Sequence, residues 1–175
     1  MTEIPELTGE RVHLRAFTNA DLDAYAAMSA DAEVMRYIGD GQPVGRDIAW
    51  RQMAAFLGHW ALRGYGMWAV EDRASGRLLG RAGFLNPEGW PGLELGWLLA
   101  REHWGRGLAH EAAALALGWG RRHIDGIGGL ISLIRPDNRR SAALAGRLGA
   151  ALDDQIELLG GPAQVWRYRD GAVTG

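Results

Sequence analysis

Hydrophobic positions along this chain change period several times, and each change marks a different kind of element. Residues 11–17 (RVHLRAF) read as a first strand. Thr18-Asn19-Ala20-Asp21 resembles a capping box and opens a helix through Ser29. A short helix over 31–37 follows. Ala49, Met53, Phe56, Leu57 and Trp60 recur at helical spacing, which predicts a helix over 46–62 with those five side chains on one face. The period then shortens. Residues 66–73 and 78–86, joined by the turn Ala74–Arg77, read as a β-hairpin. A loop over 87–92 leads to a third strand, 93–99. Leu108, Ala112, Leu115, Ala116 and Trp119 then mark one face of a helix running to 122. Residues 129–135 are almost wholly apolar, as a strand buried on both faces should be. A helix over 137–148 is stopped by Gly149. Two strands, 151–158 and 163–169, close the pattern as a second hairpin. The sum is a mixed α/β chain whose first half is antiparallel. Strand–helix–strand then follows around a glycine-rich turn. No repeat or linker interrupts it, so residues 1–175 read as one domain.

Composition narrows the chemistry. The chain is 47% hydrophobic and 23% charged with a net charge of −2, which asks for neither nucleic acid nor a membrane as partner. Cysteine is absent, excluding disulfides, thiolate catalysis and cysteine-held metals. All 19 basic residues are arginine. Without lysine there is neither a Walker-A phosphate loop nor a pyridoxal Schiff base. The five histidines, His13, His59, His103, His110 and His123, form no ligand cluster and read as surface or loop residues. No metal is expected. The N-terminus has no apolar signal core and no run is long enough to span a membrane, so the expected location is the cytoplasm.

The segment HWGRGLAHEAAALALGWG (103–120) holds the most suggestive local feature. Gly105 and Gly107 stand between a strand and a helix. Such a turn points main-chain N–H groups at an anion, or it is a plain tight turn that needs glycine for positive φ. A dinucleotide fingerprint fails, because His110 occupies its third glycine position.

LELGWLLAREHWGRGLAHEA followed by PDNRRSAALAGRLGA resembles the GNAT acetyltransferase superfamily. Within it the pattern is similar to the branch that includes ribosomal-protein N-terminal acetyltransferases. The family anchor Arg/Gln-x-x-Gly-x-Gly/Ala maps onto Trp104, Gly107 and Ala109. The second motif, Asn-x-x-Ser and a helix ending Leu-Gly, maps onto Asn138, Ser141, Leu148 and Gly149. The resemblance implies an α/β (α+β) fold with a mixed, mostly antiparallel sheet of about six or seven strands, about four flanking helices and one splayed strand pair. It implies acetyl-CoA as cosubstrate. Its pyrophosphate would lie on the amides of Gly105, Arg106, Gly107, Leu108, Ala109 and His110, with Arg101 and Arg106 as candidate charges. Its pantetheine arm would run along Trp97, Leu98 and Leu99. Asn138 would bind a pantetheine amide, cap its helix, or do both.

The implied reaction is direct transfer of acetyl to an amine. Neutralising a lysine amine at pH 7 costs about 4.6 kcal/mol, and an α-amine about 1 kcal/mol, so a carboxylate suffices as base for the latter. Glu94 is the candidate: by strand alternation it points away from Leu93, Leu95 and Trp97. Glu111, in the first turn of its helix, reads as a structural complement to the helix dipole. A strand N–H near 95–98 would serve the oxyanion. The tyrosine that much of the superfamily places seven residues after the motif Asn is here Ala145, which leaves Ser141 as candidate donor to the leaving thiolate.

Met35, Arg36, Tyr37, Trp68, Phe84 and Asn86 are candidates for the acceptor side, with core packing the alternative for the aromatics. The acceptor is a small-molecule amine or a protein N-terminus. Members of this branch often pair, so a homodimer is open. A non-catalytic acyl-CoA sensor and an enzyme for longer acyl groups are the rival readings.

Overall fold

A computed structural model of the chain describes residues 3–169. Its strands are β1 (Leu7–Thr8), β2 (Val12–Arg15), β3 (Met67–Asp72), β4 (Leu78–Leu85), β5 (Glu94–Leu99), β6 (Ile131–Ile134), β7 (Ala150–Leu158) and β8 (Gly161–Tyr168). The helices are α1 (Leu22–Ser29), α2 (Ala32–Met35), α3 (Arg46–Arg63), α4 (Leu108–His123) and α5 (Arg139–Arg147). One eight-stranded sheet runs in the order β1-β2-β3-β4-β5-β6-β8-β7. Every neighbouring pair is antiparallel except β5 and β6, which are parallel. All seven expected strands form. The eighth, β1, has two residues, too few to show a period. Five α-helices, not four, flank the sheet among the described residues.

Alternation along β3, β4 and β5 sorts their side chains onto two cores. Trp68, Val70, Ala82, Phe84, Leu95 and Leu99 pack against α4 and α5. Met67, Ala69 and Leu98 face the other way, onto Phe17, Tyr25, Met53 and Phe56 of the α1–α3 layer. On α3, Ala49, Met53, Phe56 and Trp60 are buried as the spacing predicts, but Leu57 is 38% exposed. A fifth apolar residue made the expected face too wide. α4 lies close on the sheet at Gly120, where a Cβ would sit 2.3 Å from Phe84 Cζ. Trp60, Trp68 and Trp119 meet beneath it, edge to face, with ring centroids 4.7, 5.4 and 5.2 Å apart.

The sheet opens in its middle. β5 and β6 share a single bridge, Glu94 with Ile131, although both strands continue beyond it. Leu93 O accepts the Ile131 N–H at 3.0 Å, the Ser132 hydroxyl donates to Leu95 O at 2.6 Å, and the Leu133 amide reaches the Glu94 carboxyl. β4 pairs β5 throughout its length, so its own partner does not splay.

Candidate active site

The glycine turn adopts the left-handed backbone that both of its readings require. Gly105 and Gly107 take φ of 71° and 76°, a left-handed conformation open to glycine at little cost. Gly107 caps α4 with this geometry. Among the described residues, no hydrogen bond is donated by the main-chain N–H groups of Gly105 through His110. The turn is braced from behind. Arg11 donates to Arg106 O at 2.7 Å and to Glu111 Oε2 at 2.9 Å, while Glu111 Oε1 accepts the Arg11 and Val12 amides. Burial opposes the charge on Glu111, but the Arg11 and Val12 donors outweigh it and hold the carboxyl below its ordinary value. Glu111 therefore clamps the start of β2 to α4, a tertiary role beyond the helix-dipole complement expected of it. Trp104 Nε1 donates to Leu99 O at 2.9 Å, and the Arg140 guanidinium lies 3.8 Å over the Trp104 ring.

At the other end of β5 the splay holds a cavity of about 290 Å³. Glu94 is on its wall, with Trp97, Asn138 and Ser141 from the β5–α5 side and Tyr37 from beyond α2. Burial pushes the Glu94 carboxyl up to about 7, against the opposing pull of the Trp90 N–H, the Leu133 amide and the Arg81 charge. Trp90 Nε1 is 2.8 Å from Glu94 Oε2. Trp97 Nε1 donates to Ser141 Oγ at 3.2 Å across the gap. Asn138 caps α5, its Oδ1 accepting the Ser141 N–H at 3.2 Å. The main chain of Trp97 faces the gap: Ala100 N–H donates to Leu79 O and Leu93 O accepts from Ile131, so in the antiparallel alternation the even-numbered β5 residues bond to β4 and the odd-numbered ones face β6. Metal-ligand clusters are absent among the described residues.

The model of the acetyltransferase (GNAT) domain family matches residues 11–151. The chain belongs to the GNAT acetyltransferase family. A crystal structure of an acetyltransferase from Agrobacterium tumefaciens str. C58 is similar at 33% identity with a TM-score of 0.85, covering 96% of each chain. The uncharacterised protein YkkB of Bacillus subtilis (strain 168) is 28% identical over 172 residues, 94% of this chain and 95% of its own. The same GNAT fold occurs in RimL, a ribosomal L7/L12 alpha-N-protein acetyltransferase solved with coenzyme A, at 17% identity and a TM-score of 0.77, covering 95% and 99%.

Within this GNAT domain the expected site residues divide. Trp97, Asn138, Ser141, Glu94 and Tyr37 meet at the cavity. Trp104 and residues 105–110 stand instead past the far end of β5, roughly 17 Å of strand away. Leu98 and Leu99 bury their side chains in opposite cores and offer only main chain. Arg101 is paired with Asp31 at 3.2 Å.

Several acceptor-side expectations are corrected. Trp68 and Phe84 are fully buried on the α4 face, opposite to Glu94, because their places in the strands have the other parity. Met35 is buried in the α1–α3 core. Asn86 gives its N–H to His59 Nε2 at 2.9 Å and is not on the cavity wall. Arg36 is exposed, its guanidinium 5.3 Å from the Tyr37 ring, and borders a separate hollow with Pro136 and Asp137. His59 is no surface residue: it is buried, with Nδ1 2.7 Å from Tyr65 O. Sequence reasoning missed Trp90, Gln52, Ser132 and Arg81, all of which reach the cavity. Strand parity with Glu94 was the available signal for Arg81.

Proposed function

We propose that the chain is an acetyl-CoA-dependent N-acetyltransferase that passes acetyl directly to a primary amine, with Glu94 as the base. The observation that carries this reading is the place of Glu94: a carboxyl at the bridge where β5 and β6 part, with its pKa raised to about 7 by burial. A base poised near the working pH combines the ionised form with useful basicity. Glu94 holds the proton that the amine gives up, directly or through one water, and Trp90 Nε1 fixes the orientation of the carboxyl.

The residues present fit coenzyme A. Unpaired amides at a helix start suit a pyrophosphate, and the outward main chain of Trp97 suits an extended amide arm as an added strand. When bound, acetyl-CoA supplies a thioester acetyl group and a thiolate leaving group. The Trp97 amide is a donor for developing charge on a carbonyl oxygen. Ser141 Oγ already accepts the Trp97 indole N–H, so its own proton is left to donate to the leaving sulfur. Tyr168 does not serve there. Burial pushes its phenol up to about 12, and its hydroxyl is 2.8 Å from Ser132 Oγ.

The test is thiol release from acetyl-CoA with a panel of primary amines, for the wild type and Glu94→Gln. The reading predicts release in the wild type and a fall in kcat of about a hundredfold or more in the variant at neutral pH, with acetyl-CoA affinity unchanged. Unchanged turnover removes Glu94 as base. Tight acetyl-CoA binding with no amine acetylated makes the domain an acyl-CoA sensor.

A further inference from the structure

One cation of the cavity wall makes no ion pair among the described residues, although Glu94 lies near enough to feel its charge. Arg81 stands on β4 at even spacing from Leu85, the register partner of Glu94, and so shares the sheet face of Glu94. A guanidinium remains charged at any working pH. Its Nε is buried with no hydrogen-bond partner among the described residues. Its Nη1 reaches only the Met67 sulfur at 3.8 Å, a weak acceptor, and its Cζ lies 5.3 Å from the Phe56 ring centroid. Arg81 enters none of the ion pairs found among the described residues. Taking a cation out of water without a partner is costly, and an incoming anion offsets that cost.

A second donor faces the same space. Gln52, on α3, accepts the Tyr25 hydroxyl on Oε1 at 3.0 Å, which leaves its amide N–H₂ for the cavity it lines. The charged side chains on the wall are Arg81, Arg135 and Glu94, two cations to one acid. Arg135 is occupied by the carbonyls of Pro162 and Gly39, at 3.0 and 2.7 Å. Arg81 is therefore the cation available to a ligand.

We propose that Arg81 and Gln52 form an anion subsite for the acceptor, and that the acceptor is a primary amine carrying its own carboxylate. This rests on the acetyltransfer reading and names its substrate class. A guanidinium fork and one amide match a single planar carboxylate. Phe56 beneath them offers an apolar floor for the carbon chain between amine and acid. Two sources share this chemistry: free amino acids, and peptides with an acidic side chain near a free N-terminus.

The experiment compares kcat/KM for thiol release with matched amines that differ only in carrying a carboxylate or its primary amide. One arm uses free amino acids of increasing amine-to-acid spacing. The other uses short peptides with Asp or Glu, or Asn or Gln, near the N-terminus. The acid is expected to be preferred by about tenfold to a hundredfold, as loss of a charge-assisted hydrogen bond implies, and the arm that shows the preference identifies the source. Arg81→Met should bring the acid-to-amide ratio close to one. Gln52→Glu should do the same by supplying the missing carboxylate from within, and it keeps the cavity filled if Arg81→Met fails to fold. Equal use of acid and amide by the wild type, or a preference that survives in both variants, overturns the subsite. If no amine is acetylated, the acetyltransfer reading fails and the subsite is read by calorimetric titration with N-acetyl amino acids and their amides. Acid-selective binding lost in Gln52→Glu supports it, and equal binding overturns it.

Discussion

The carboxyl of Glu94 answers to two opposing demands, and both are measurable. As a base it works only when ionised. The account predicts that kcat/KM rises with pH to a plateau, half-maximal near 7, and that this limb vanishes in Glu94→Gln. As a buried acid it also links stability to pH. Its folded-state pKa, about 7, lies above its ordinary value of 4.5, so the folded state binds the proton more tightly. The stability this contributes is fully present below 4.5 and is lost as pH rises through 7. Glu94→Gln should remove that loss, read as a flatter pH dependence of Tm across the same window. Asp21 and Glu111 have lowered values, so their stabilisation is present above the ordinary carboxylate range and is lost on acidification, a separate window. Ser141→Ala removes the proposed donor to the leaving sulfur and leaves the Trp97 indole N–H unpaired. A fall in kcat of roughly tenfold to a hundredfold with little change in acetyl-CoA affinity is expected; an unaltered kcat would show that the sulfur leaves without that proton.

At the scale of elements, the β5–α4 unit carries the cofactor end of the account. Gly107→Ala forces a side chain into the left-handed region, at about 1–2 kcal/mol, and should weaken acetyl-CoA binding more than it lowers Tm. Gly120→Ala reports on packing instead. Its Cβ would collide with the Phe84 ring, so a loss of about 1–3 kcal/mol in chemical denaturation is expected. A neutral result there would mean that α4 sits farther from the sheet. The periodicity of the sequence revealed these elements because helix and strand faces are local patterns. α3 and α4 bury the faces their spacing marks, apart from the exposed Leu57 and the half-buried Leu115, and the β3–β4 hairpin forms where alternation and a turn coincide. The splay could be expected only through family resemblance. Where β5 stops pairing with β6 is decided by partners 37 residues apart in sequence, Glu94 and Ile131, and no local pattern encodes that distance.

Taken whole, the molecule puts three of its eight tryptophans into one core and its arginines to several unlike tasks. Trp60, Trp68 and Trp119 fill the space between sheet and helices, which is why Trp68 and Phe84 were misplaced from sequence: an aromatic in a strand looks the same whether its face meets a cleft or a core. Among the arginines, Arg11 braces the glycine turn, Arg15 holds Asp21, Arg140 covers Trp104 and Arg81 waits at the cavity. In the sequence each reads as a solvent-facing residue, and only three-dimensional neighbours separate them. The sheet face of Glu94 was legible from strand parity, and the structure adds its place on the cavity wall and the burial that raises its pKa. The claim that joins both ends of β5 is that one extended acyl-CoA lies between the turn and Glu94. Its most direct test is the thermal shift of the protein with acetyl-CoA, CoA and NAD in separate titrations. The account predicts that both forms of CoA stabilise the fold by about 2.7 kcal/mol at a hundred times Kd, and that NAD does not. A folded sample that responds to neither form of CoA would contradict it.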